Sequence, residues 1–167
     1  MLFRSESTTI ENTRQKADVF VVKKDSDTEN PLDGGKYTLY AGNDIKIYAG
    51  QVIVTKGTAL ETVTTGEDGK ASYSADLPIS NGYYVSETQA PYAYIRNSKD
   101  VYSFNFNVLP ETQAKASFSH TFVNDRTTAK IHIYKVDKES GKAVAQGDAR
   151  LEGAVYGLYA RNDIVHP

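Results

Sequence analysis

The chain repeats itself, and that restricts its architecture more than any other feature. Residues 12–23 (NTRQKADVFVVK) lie over residues 124–135 (NDRTTAKIHIYK), 112 positions apart. Both copies open on Asn, carry Arg two places on, and close an apolar run with Lys; an acid follows two places later, at Asp25 and Asp137. The match resumes at residues 32–45 (LDGGKYTLYAGNDI) over 151–164 (LEGAVYGLYARNDI), now 119 apart, so the second copy holds seven additional residues around Lys142 to Arg150. Self-similarity at a fixed spacing marks tandem structural units. Residues 1–14 are therefore predicted to be the last strand and linker of a preceding unit, 15–126 a complete unit, and 129–167 the N-terminal part of a following one.

Within the complete unit the pattern is that of strands. Val19, Val21 and Lys23 share one parity, and Phe20, Val22 and Lys24 the other, which is the period of two of an extended chain. Further strands are predicted at 36–40, 45–48, 51–54, 59–64, 71–75, 82–88, 101–108 and 116–123. They are separated by turn-forming runs such as NPLDGG at 30–35 and GEDG at 66–69. Pro78 and Pro91 fall at boundaries, where a missing donor costs a ladder least. No segment keeps an amphipathic helical period over a useful length, and short strands at this spacing predict an all-β sandwich.

Composition removes several function classes. The 19 basic and 21 acidic residues give a net charge of −2 and form no run of either sign. A basic stripe for nucleic acid or a polybasic membrane patch is therefore not expected. No apolar stretch approaches the roughly eighteen residues a membrane-spanning helix needs, so no membrane insertion is expected. With no cysteine there is no disulfide, thiol nucleophile or thiolate metal site, and stability must come from the core or from another kind of crosslink.

Three polar residues fall on faces predicted to point inward. Lys23 shares parity with Val19 and Val21, Glu87 with Tyr83 and Val85, and Asn124 with Phe118 and Phe122, with His120 between them. Each has an ordinary reading: a snorkelling lysine, a solvent-facing glutamate or one paired with Arg96, and a turn asparagine. Together they permit a specific reaction. An apolar site lowers a lysine pKa and raises a glutamate pKa, so proton sharing leaves a neutral, nucleophilic amine and a protonated carboxyl group that, close to the Asn124 carboxamide oxygen, polarises the carbonyl and stabilises the tetrahedral intermediate. Attack on the Asn124 carboxamide with loss of ammonia would leave an amide between Lys23 and Asn124, formed once with no turnover, so the chain is not expected to be an enzyme. Lys24 is the competing lysine, but it shares parity with Phe20 and Val22, and the second copy has Val136 in its place.

The motifs at Lys23 to Asp25, Leu32 to Tyr40, Thr64 to Lys70 and Leu77 to Tyr94 carry a family resemblance. The ETQAPYAY run from Glu87 to Tyr94 is the most specific of them. The chain resembles the collagen-adhesin B-type, prealbumin-like (SpaA-type) modules of Gram-positive surface proteins and pilins. The resemblance implies an inverse immunoglobulin-like sandwich in an extracellular parent protein anchored to the cell wall. It also implies a spontaneous Lys–Asn isopeptide bond, with Lys23 and Asn124 as the partners and Glu87 as the assisting acid. Asn12 and Lys135 are the equivalent positions of the flanking modules. A structural stalk or spacer role follows, with neighbouring modules of the same parent chain as partners. The alternative is an adhesive module recognising a host glycoprotein or polysaccharide, for which the 42–60 segment is the candidate surface. The chain has no sorting signal and no evident pilus-polymerisation lysine motif, and is read as internal to a longer parent or as an isolated excerpt of one.

No cofactor or metal is expected. His120, His132 and His166 lack ligand spacing. The run from Asp25 to Asn30 loosely resembles a calcium loop, but it lacks the central glycine and the later bidentate glutamate. No glycine-rich loop precedes a helix and no nucleophile elbow occurs.

Overall fold

The computed structural model describes residues 13–79 and 82–163 and divides the chain into two units, one ending at Thr127 and one beginning at Thr128. The first unit is an all-β sandwich. Its strands are β1 (Lys16–Asp25), β2 (Lys36–Ala41), β3 (Ile45–Lys46), β4 (Val52–Val54), β5 (Ala59–Thr64), β6 (Lys70–Ser72), β7 (Tyr83–Gln89), β8 (Val101–Phe104) and β9 (Lys115–Asn124). One sheet has the order β6-β1-β9, the other β5-β2-β7-β8, and β3 and β4 form a separate hairpin. Strands β1 and β9 pair in parallel, from Lys16 opposite Lys115 to Asp25 opposite Asn124; among the described residues the other strand pairings are antiparallel.

Alternation along each strand builds the core. Val19 and Val21 of β1 meet Tyr37, Leu39 and Ala41 of β2, Tyr83 and Val85 of β7, and Phe104, Phe106, Ala116 and Phe122 from the C-terminal half. Because the side-chain period is two, the residues continuing these rows are carried inward as well, whatever their polarity. Lys23 and Asp25 extend the β1 row, Glu87 the β7 row and Asn124 the β9 row, and all four are buried.

Four predicted strands are shorter than their patterns: the 45–48 run is a strand only at Ile45–Lys46, the 51–54 run only at Val52–Val54, and two others end early. The 101–108 run leaves its ladder at Phe104, which pairs with Tyr83, the first residue of β7. The 71–75 run ends as a strand at Ser72; the Tyr73 amide still donates to the Val19 carbonyl at 3.0 Å, and the amides of Ser74 and Ala75 turn to the Glu61 carboxylate.

Gly69 is placed by necessity. It has φ +70°, its carbonyl accepts the Lys23 amide at 2.7 Å, and a β-carbon there would run into the Lys23 carbonyl and Pro31. Gly69→Ala is expected to lower stability by about 1–3 kcal/mol from backbone strain alone. A denaturant midpoint equal to wild type would refute this account of the turn.

In the second unit, residues 130–136 carry a strand pattern yet form no strand, and Ile131, Ile133 and Tyr134 are exposed. Their counterpart, β1, is held extended by ladders to β6 and β9, and 130–136 have neither ladder. The turn that follows is nevertheless the same. Asp137 Oδ1 accepts the amides of Glu139 and Ser140, as Asp25 Oδ1 accepts those of Asp27 and Thr28. The left-handed position is Gly141 (φ +66°) in one and Glu29 (φ +60°) in the other.

Candidate crosslinking site

The parallel β1–β9 pairing and the facing strand β7 bring Lys23, Glu87 and Asn124 to one place. In the ladder Lys23 pairs with Phe122, so Asn124, two residues on, presents its side chain diagonally to Lys23 on the same inward face. Glu87 descends from the opposite sheet. Lys23 has no exposed surface, Glu87 is 3% exposed and Asn124 2%, so water is excluded from all three.

One oxygen is the hub. Glu87 Oε1 accepts the Asn124 Nδ2–H at 2.7 Å and the Tyr37 O–H at 3.1 Å, and it lies 3.7 Å from Lys23 Nζ, an ion-pair separation too long for a hydrogen bond. The other oxygen, Oε2, accepts the Asn97 amide at 3.0 Å. Arg96 reaches the backbone carbonyl of Glu87 rather than its carboxylate. Lys23 Nζ and Asn124 Oδ1 are buried without any hydrogen-bond partner. Leaving such groups unpaired is costly, and an ammonium would suffer more than a neutral amine. Burial lowers the Lys23 pKa from 10.5 to about 8, against the opposing pull of Glu87 and, more weakly, Asp100.

The surrounding wall is aromatic. The Tyr37 ring sits 4.7 Å from that of Phe122, and His120 meets Phe122 edge to face at 4.6 Å. His120 Nε2 lies 2.9 Å from Asp100 Oδ1. Burial, followed by Glu87, pushes the Tyr37 hydroxyl far above its ordinary range, so it remains a hydrogen-bond donor.

Lys24 is directed away, toward Glu29, with its Nζ 3.3 Å from Oε2. Lys135 is exposed in the second unit, and Asn12 lies outside the described residues. Among the described residues no group of three His, Asp or Glu side chains is arranged for a metal ion. The Asp25 carboxylate is already occupied by Asp27 N, Thr28 N, Tyr94 and Arg126. Tyr37 and Asn97 are the contributors that sequence reasoning did not single out. Tyr37 carried a signal: a tyrosine in register with Leu39 and Ala41 must find a partner for its buried hydroxyl. The Asn97 contact is a backbone amide in a loop and carries none.

A two-sheet β module with a buried Lys–Glu–Asn cluster across its first and last strands is thus the class of protein defined by fold and site. The chain belongs to the SpaA prealbumin-like fold domain family, whose model matches residues 17–121. Comparison with curated proteins gives no match. Solved structures similar to it include the Bacillus anthracis TIE protein, at 20% identity and TM-score 0.49 over 67% of this chain and 18% of that one. The major pilin subunit BcpA of Bacillus cereus matches at 21% identity and TM-score 0.45, over 67% of this chain and 30% of that one, in its D312A variant. The major pilin SpaD of Corynebacterium diphtheriae gives 18% and 0.45, over 67% and 31%. The chain spans less than a third of each.

Proposed function

We propose that residues 15–126 are a structural stalk or spacer module of an extracellular, cell-wall-anchored pilin or adhesin, closed by a Lys23–Asn124 isopeptide bond that the fold makes for itself. On this reading 1–14 and 129–167 belong to the preceding and following modules, which are its partners in the same parent chain. The carrying observation is that one buried carboxylate oxygen, Glu87 Oε1, faces both the amine that would attack and the amide nitrogen that would leave.

The chemistry balances without a cofactor. Neutral Lys23 Nζ adds to Asn124 Cγ, and the proton lost by Nζ passes to Glu87 Oε1. Oε1 returns it to Nδ2, which departs as ammonia as the carbonyl re-forms. Relay by one positioned group suits a carboxylate that touches both nitrogens' surroundings. Tyr37 and the Asn97 amide hold that carboxylate in place. A pull on the two ends of the module would then pass from β1 through Lys23 into Asn124 and leave residues 24–123 unloaded.

The direct test is intact mass. The folded chain is expected to weigh about 17 Da less than its sequence mass, the loss of one ammonia. Lys23→Ala and Asn124→Ala should restore the full mass. Full mass in folded wild type would sink the crosslink and leave the fold untouched.

A second reading, a binding module for a host glycoprotein or polysaccharide, is favoured by one observation. The β3–β4 hairpin, within residues 42–60, exposes Ile47, Tyr48, Val52 and Ile53. Retention on a glycan or matrix-protein array that is lost on Tyr48→Ser and Ile53→Ser would support it.

A further inference from the structure

Beside the crosslinking cluster lies a second buried polar group that the proposed reaction does not use. Asp25 is 1% exposed, two residues beyond Lys23 on the same inward row. Its Oδ2 accepts the Tyr94 O–H at 2.7 Å and Arg126 Nε–H at 2.6 Å, while Oδ1 accepts the amides of Asp27 and Thr28. Three distant segments meet there: the end of β1, the loop after β7, and the chain leaving β9. Backbone bonds accompany the contact, with Ser26 N donating to Asn124 O at 3.1 Å, Ile95 N to Asp125 O at 2.9 Å and Thr127 N to Ala93 O at 2.8 Å.

The parallel β1–β9 ladder has a register choice that face alternation alone does not settle. A slip of one residue would turn every side chain to the wrong face, and the core forbids it. A slip of two keeps all faces correct. Val19, Val21 and Lys23 would still point inward against Ala116, Phe118, His120 and Phe122, displaced by roughly 7 Å along the strand. Lys23 would then miss the Asn124 carboxamide altogether. A buried ionic contact at one position distinguishes the registers, because a slipped ladder would leave a buried carboxylate without its cation.

The internal repeat ties this contact to the crosslinking pair. The acid stands two places after the lysine in both copies (Lys23 and Asp25; Lys135 and Asp137), and the arginine two places after the asparagine (Asn124 and Arg126; Asn12 and Arg14). The Asp137 turn repeats the Asp25 turn in its side-chain hydrogen bonds. Arg14, the counterpart of Arg126 in the repeat, lies against Asp76.

We propose that Asp25, Arg126 and Tyr94 form a registration clamp: positioning residues that lock β1 against β9 in the one register where Lys23 Nζ faces the Asn124 carboxamide. The clamp rests on the isopeptide reading for its purpose but not for its existence. The Tyr94 hydrogen bond, with the Thr28 amide and Arg126 behind it, holds the Asp25 carboxyl well below the usual carboxylate range, so the clamp stays charged at neutral pH.

Two measurements on the full chain test it. Arg126 is partly exposed, so Arg126→Gln should fold, as judged by near-ultraviolet circular dichroism. Folded Arg126→Gln is expected to lose ammonia at least tenfold more slowly than wild type, with partial recovery in Arg126→Lys; a wild-type rate overturns the clamp. The second arm uses a Lys23→Ala background, where no bond can form. There Arg126→Gln should speed amide hydrogen exchange at Ser26 and Thr127 at least tenfold, and unchanged exchange overturns the clamp whatever the masses show. Should Arg126→Gln not fold, Tyr94→Phe, which removes one donor and keeps the ring, is read the same way with a smaller expected change. Wild type that fails to lose ammonia removes the isopeptide reading, and the exchange arm still decides the clamp.

Discussion

Lys23→Ala is expected to lower the melting temperature of the first unit by roughly 15–30 °C, and Asn124→Ala and Glu87→Gln by similar amounts. A Lys23–Asn124 bond would close a loop over residues 23–124, nearly the whole module. Closing a loop of about 100 residues removes about 5 kcal/mol of chain entropy from the unfolded state, and 1 kcal/mol moves the melting point of a domain this size by roughly 4 °C or more. The three substitutions differ in packing: one empties a lysine-sized space, one trims a carboxamide, and one is nearly isosteric. Only the loss of a shared covalent link gives them a common effect. A large drop in Lys23→Ala beside an unchanged Glu87→Gln would mean that packing, not a bond, was removed. Thermal scans by circular dichroism, each paired with an intact mass, separate the two.

The second large effect concerns rate and pH. Chain kept unfolded from synthesis and then diluted into folding buffer should lose ammonia faster as pH rises toward about 8, and level off above it. The nucleophile is the neutral amine, and burial brings the Lys23 pKa down to about 8. Glu87→Gln should slow the reaction by about 10²–10⁴-fold, the usual contribution of a positioned proton carrier, while the Tyr37 and Asn124 contacts keep the fold. A flat profile between pH 6 and 9, or a wild-type rate in Glu87→Gln, would contradict the relay through Oε1.

The same shift fixes a stability trend in Asn124→Ala, which keeps the free lysine. The folded pKa is the lower one, about 8 against 10.5 unfolded, so between those values the unfolded chain binds more protons. Stability of that variant should therefore rise with pH across this window. The Asp25 carboxyl works at the other end. Its folded pKa is depressed, so its contribution is intact above the unfolded value of about 3.9 and is lost as pH falls below that toward the folded one.

Much of the site was legible because a strand's period is two. Knowing that Val19 and Val21 face the core places Lys23 there and sends Lys24 outward, where it meets Glu29. The same parity argument carried Glu87 and Asn124 inward. Asp25 shows where such reasoning stops. Its neighbours loosely resemble a cation loop, but its charge is met by Arg126 and Tyr94, 101 and 69 residues away. Tyr37 lay within the predicted 36–40 strand with no role assigned to it, and its hydroxyl proves to donate to the Glu87 carboxylate. Partners this distant leave no local pattern, since spacing in sequence constrains only what one element presents on one face.

The all-β class, the repeat with its expected boundaries, and the side of each strand on which a polar residue would lie all follow from the order of residues alone. These depend on backbone periodicity and turn chemistry, which act over a few residues. It took the folded arrangement to show that β1 runs parallel to β9, that β7 faces them from the other sheet, and that one oxygen of Glu87 stands near both Lys23 Nζ and Asn124 Nδ2. Those facts come from long-range packing of two sheets around Val21, Tyr37, Val85 and Phe122, where burial forces charged groups to find one another at the ends of strands.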